Sequence, residues 1–129
     1  MNDFKSSIID CAKAIELNGG AYYADSIYFQ IRGSSKEHLM DFHGAIEDYS
    51  KAIENIETSL SSKSEDEFYK SFYGQKTFVY LGRSRMFIEI QEYKKAYKDL
   101  LNALEIANTS EEKDEINKLI DDVKPKIKS

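Results

Sequence analysis

Apolar side chains recur along this chain at helical spacing. Phe4, Ile8, Cys11, Ala12 and Ile15 fall at i, i+4, i+7, i+8 and i+11, one stripe of a first helix that Asn18-Gly19-Gly20 ends. Ile27, Phe29, Ile31 and Leu39-Met40 mark a second helix, from about Tyr22 to Met40. A third, from about Phe42 to Glu57, turns Ala45, Ile46, Tyr49, Ala52, Ile53 and Ile56 inward. Thr58–Ser64 is rich in serine and reads as a loop. Ser64 and Glu67 have capping-box spacing and open a fourth helix reaching about Ile90. Gly74 and Gly82 inside it each cost about 1 kcal/mol relative to alanine, so they mark a kink or a close helix contact. A fifth, from about Glu92 to Ala107, places Tyr93, Ala96, Leu100, Ala103, Leu104 and Ala107 on one side, and Asn108 can end it. The sixth begins at Thr109, with Glu112 completing its capping box. It presents Ile116, Leu119, Ile120 and Val123, and stops near Asp122–Lys124 ahead of Pro125. Period-2 alternation with β-branched enrichment is missing, so the fold class is all-α, with about six helices.

The helices repeat. The segment Asp41-Phe42-His43-Gly44-Ala45-Ile46-Glu47-Asp48-Tyr49-Ser50-Lys51-Ala52-Ile53 aligns with residues 92–104 and with residues 3–15. The shared pattern is aromatic-x-x-small-apolar-x-Asp-x-x-x-Ala-apolar, with one slip at Tyr97. Upstream, Tyr28-Phe29-Gln30-Ile31-Arg32-Gly33-Ser34 aligns with Val79-Tyr80-Leu81-Gly82-Arg83-Ser84-Arg85. Small residues at Gly33/Ser84 and Ala45/Ala96 let two antiparallel helices approach closely, and Ala52/Ala103 lets a further helix pack behind. Phe29/Tyr80, Phe42/Tyr93 and Tyr49/Leu100 fill the spaces between them. A hairpin built this way has two apolar sides, which stacked copies bury in one continuous core.

This pattern resembles the tetratricopeptide repeat family. Its 34-residue unit asks for an aromatic, a small residue four later, then Ala…aromatic…Ala in the second helix. Phe29, Gly33, Ala45, Tyr49 and Ala52 meet it in residues 26–59, and Tyr80, Ser84, Ala96, Leu100 and Ala103 in residues 77–110. Residues 3–20 resemble the second helix of a half repeat, and residues 110–124 are left as a capping helix. The resemblance implies a single domain over residues 1–129, a short α-solenoid of antiparallel hairpins in a right-handed superhelix. The copies are spaced 38 and 51 residues apart rather than 34, which requires insertions near Asn18–Asp25 and over residues 58–76. Glu57 and Asn108 stand where the family closes each repeat with proline.

Composition narrows the function. Residues 1–57 hold five Lys/Arg against ten Asp/Glu, and residues 58–129 thirteen of each, giving the net charge of −5. An acidic chain argues against nucleic-acid or anionic-membrane binding, and its apolar runs are far short of the roughly 20 residues a membrane helix needs. With one cysteine and no signal-like start, the chain is expected in a reducing, cytoplasmic compartment.

Candidate chemistry is sparse. His38 and His43 flank Asp41 at a helix turn, but no further spaced ligands join them, so they read as turn histidines. Cys11 lies on the apolar stripe, where Tyr49 and Leu100 sit in the other copies, and reads as a buried small hydrophobe. The runs Glu65-Asp66-Glu67 and Glu111–Glu115 sit at helix starts, where the dipole favours them. No phosphate loop or nucleophile–base pair is present, so neither an enzyme nor a cofactor is expected. The aromatics Phe68, Tyr69, Phe72, Tyr73, Phe78 and Tyr80 cover more than one helix face, so some of them must be buried by the stack, and any remainder would form an exposed patch for a partner or for self-association.

In the family, first helices of successive repeats line a concave groove for a peptide or partner helix. The corresponding positions here are Ile27, Gln30, Ser34 and His38, then Phe78, Leu81, Arg85 and Glu89. Phe78 and Leu81 would offer apolar contact and Arg85 a charge-assisted bond to a carboxylate. Members that clamp acidic chaperone tails use an Asn and several basic groove residues. Here Ile31 and Gly82 hold the Asn position and only Arg85 is basic, so that clamp is not expected. The resemblance implies a protein-binding adaptor. The alternative is a self-associating structural module, or part of a longer array, assembled through the open flank of the N-terminal half repeat.

Overall fold

The computed structural model describes residues 3–19, 25–61 and 67–127, and every regular element among them is helical. The helices are α1 (Phe4–Asn18), α2 (Asp25–His38), α3 (Phe42–Ser61), α4 (Glu67–Glu89), α5 (Tyr93–Ile106) and α6 (Ser110–Val123), followed by a 3₁₀ turn at Lys124–Lys126. The chain forms two compact units, Met1–Ser64 and Glu65–Ser129. Each is a helical hairpin with a third helix against it.

In the first unit α2 and α3 form the hairpin and α1 lies against α2. The Asp3 carboxylate caps α1 by accepting from the Ser6 amide at 3.1 Å, which holds its pKa below the usual carboxylate value. Gly19 closes α1 in the left-handed conformation (φ 87°). Asn18 donates at 2.9 Å to the buried Asp25 carboxylate at the start of α2. Ala45, Tyr49, Ala52, Ile53 and Ile56 of α3 make the core with Phe29 and Cys11, while Ile46 is only half-buried.

In the second unit α4 and α5 form the hairpin and α6 packs on α5. Val79, Tyr80, Met86, Ala96, Leu100 and Ala103 fill its core, joined by Ile116, Ile120 and Val123 of α6. Thr109 caps α6 by accepting from the Glu112 amide at 3.1 Å. The helix ends at Val123, and Pro125 sits in the turn that follows.

One expectation is corrected. The helix α3 runs on to Ser61 instead of ending at Glu57, so residues 58–61 are helical rather than loop. The Thr58 hydroxyl donates to the Glu54 carbonyl at 2.9 Å, so its competing polar group is satisfied inside the helix. The helix α4 passes through Gly74 without a close neighbour: a Cβ there would meet open space, so no close contact requires this glycine. The expected cap at Ser64, the chain around Gly20, and the side chains of Phe68, Tyr69, Phe72 and Tyr73 lie outside the described residues.

Candidate functional site

The two hairpins can be compared position by position at the 51-residue offset found in the sequence. Each turn uses a non-glycine residue in the left-handed region, Met40 and Gln91, both at φ 63°. Each is closed by the same bond at 2.8 Å: the Asp41 amide donates to the Lys36 carbonyl, and the Glu92 amide to the Phe87 carbonyl.

The same offset carries an ion-pair lock. Arg32 donates through Nε and Nη2 to the two carboxylate oxygens of Asp48, at 2.9 and 2.8 Å. Arg83 does the same to Asp99, at 2.8 and 2.7 Å. Both acids are buried while both arginine side chains keep 21% exposure, so each lock lies at the rim of its hairpin. This two-point geometry fixes the rotation of one helix against the other, which a single point charge would not. Each guanidinium also lies over an aromatic of its own helix, Phe29 at 5.5 Å and Tyr80 at 5.8 Å. The signal was in the sequence: both hairpins carry Arg and Asp sixteen residues apart inside the aligned blocks. Hydrophobic periodicity aligns those residues but gives the pair no role.

The surroundings of the locks differ. Asp48 is also reached by Lys36 Nζ at 3.1 Å, whereas among the described residues Arg83 alone lies within ion-pair distance of Asp99. Burial pushes the Asp99 carboxyl above its ordinary value, with Arg83 pulling the other way. The hydrogen bond to Asp48 is the main cause raising the Arg32 pKa.

The proposed groove positions fall as follows. Ile27 and Phe78 correspond and are exposed to nearly the same degree, 48% and 49%. Gln30 and Ser34 are half-buried. His38 stacks on Phe4 of α1, with ring centroids 4.5 Å apart, and its Nδ1 lies 2.8 Å from the Ser34 carbonyl. Leu81, expected to offer an apolar contact, is buried and offers little surface. Arg85 is half-buried and Glu89 exposed. Four of these residues lie in each unit.

Among the described residues no three His, Cys, Asp or Glu side chains gather as metal ligands, and no helix is long and apolar enough to cross a membrane. Cys11 is buried, and burial raises its thiol pKa, the opposite of what an attacking thiolate needs. No family model, curated protein or solved structure matches this chain.

Proposed function

We propose that this protein is a non-enzymatic protein-binding module of the tetratricopeptide kind, in which the first helix of each hairpin offers its exposed face to a peptide or partner helix. The observation that carries this reading is the pair Ile27 and Phe78. Large apolar side chains stand half-exposed at one shared register of α2 and α4, outside both cores. Keeping such a residue in water at both copies is unfavourable for a purely structural hairpin, and desolvating both would contribute about 1–2 kcal/mol each to a complex. Phe78 is the apolar anchor in this reading, while Gln30, Ser34, Arg85 and Glu89 supply polar contacts to a bound backbone or its side chains.

The test is a pull-down from native lysate with the wild type and with the double variant Ile27→Asp/Phe78→Asp, folding being checked by circular dichroism. Loss of the wild-type partner from the folded double variant is expected. Equal recovery would remove these helix faces as the binding surface.

A further inference from the structure

Helix α1 is a third copy of α3 and α5, at an offset of 38 residues from α3: Ser7 corresponds to Ala45, Asp10 to Asp48 and Cys11 to Tyr49. In α3 that face receives another helix. Asp48 takes Arg32, and the Tyr49 ring lies where a Cβ on Gly33 would be only 3.0 Å away. In α5 the acid takes Arg83 in the same way. In α1 the corresponding residues line an open cleft of about 390 Å³, together with Asp3, Tyr28 and the exposed Ile31. Asp10 is exposed and makes no hydrogen bond or ion pair among the described residues.

The face therefore has the acid of the lock, small side chains that permit close approach, and an apolar wall, but among the described residues no arginine pairs with its acid. We propose that this cleft is a seat for an α-helix of a separate polypeptide carrying the sequence aromatic-x-x-Arg-small. Its arginine pairs with Asp10, and its small residue passes over Cys11. The motif is the one this chain uses twice, in Phe29-x-x-Arg32-Gly33 and Tyr80-x-x-Arg83-Ser84. A second copy is a poor occupant, because both of its motif arginines are already bound to its own Asp48 and Asp99. Residues 1–57 also carry twice as many acidic as basic side chains, ten against five, so two such surfaces repel each other. A helix of another polypeptide whose arginine is free is favoured on both counts. The seat shares no residue with the groove positions named above.

The probe is a synthetic peptide of residues 25–38, stapled on its outer face through positions 30 and 34 so that helicity does not limit binding. Titration into the ¹⁵N-labelled full chain should give saturable shifts at Ser7, Asp10 and Cys11. Asp10→Asn in the protein, or Arg→Lys at position 32 of the peptide, should each weaken binding at least about fivefold. No saturable binding, binding indifferent to Asp10→Asn, or shifts centred on α3 would overturn the proposal. A concentration-dependent dimer in light scattering that Asp10→Asn abolishes would overturn it in favour of a second copy.

Discussion

The hairpin α2/α3 and the hairpin α4/α5 are built on one frame and filled with different chemistry. The turn, the lock and the alanines at 45/96 and 52/103 are shared. Around them the residues change in sets. The first hairpin has Tyr49 against Gly33, and the phenol donates to Glu37 at 2.8 Å. The second has Leu100, Ser84 and Ile88 at those positions. A large polar ring requires a glycine opposite and an acceptor beyond it, whereas a leucine tolerates a Cβ and needs an apolar neighbour. Likewise Lys36, a second cation for Asp48, gives way to Phe87, whose ring lies 5.7 Å from the Arg83 guanidinium. Hairpin geometry therefore depends on the few shared positions, and packing is solved locally in each copy.

The largest effect should come from removing a lock. Arg83→Ala strands a buried carboxylate whose only close cation among the described residues it was, and should cost about 3–5 kcal/mol. Arg32→Ala leaves Lys36 on Asp48 and should cost clearly less. Urea denaturation of the two variants compares them, and equal losses would mean that Lys36 contributes nothing.

Next comes packing. Gly33→Ala places a Cβ about 3.0 Å from two Tyr49 ring carbons and should destabilise by about 1–3 kcal/mol. Paired with Tyr49→Leu, the same change should be much milder than the two single losses added together, because the pair then approaches the second hairpin's solution. Additive losses in a double-mutant cycle would refute the idea that these residues change as a set.

A smaller effect concerns pH. The folded-state pKa of Asp99 lies above the unfolded value of about 3.8, so between the two the folded chain binds more protons. The contribution of this group to stability therefore declines as pH rises through that window and is most favourable below it. Subtracting the pH–stability curve of Asp99→Asn from the wild-type curve should expose this slope. A difference that grows with rising pH would show that the ion pair outweighs burial.

The smallest effect tests the turns. Glycine tolerates the left-handed conformation, so Met40→Gly and Gln91→Gly should each stabilise by up to about 1 kcal/mol, and by similar amounts. Thermal melts that move in opposite directions would show that the turns differ despite their shared φ.

The helices were legible in the sequence because burial against a partner helix imposes its period on the chain. Ala45, Tyr49, Ala52, Leu100, Ala103, Ile116 and Val123 were all expected inward and are all buried. The end of α3 was misread because serine and threonine favour loops only while their hydroxyls compete with the backbone, and the back-bond of Thr58 removes that competition. The candidate surface was less legible. Pattern alone places a residue on a face without saying how deeply it sits, so Leu81 was grouped with Phe78 although one is buried and the other exposed. The locks were missed because hydrophobic periodicity is blind to a charged pair, even one repeated at equal spacing.

The sixteen-residue reach of each lock also bears on how the chain folds. The turn and the lock of a hairpin lie close along the sequence, so closing them costs little loop entropy and proceeds quickly. The last residue of the first hairpin is Ser61, the end of α3. During synthesis this half can be braced while the second is still emerging from the ribosome, which shortens the time its apolar stripes spend uncovered.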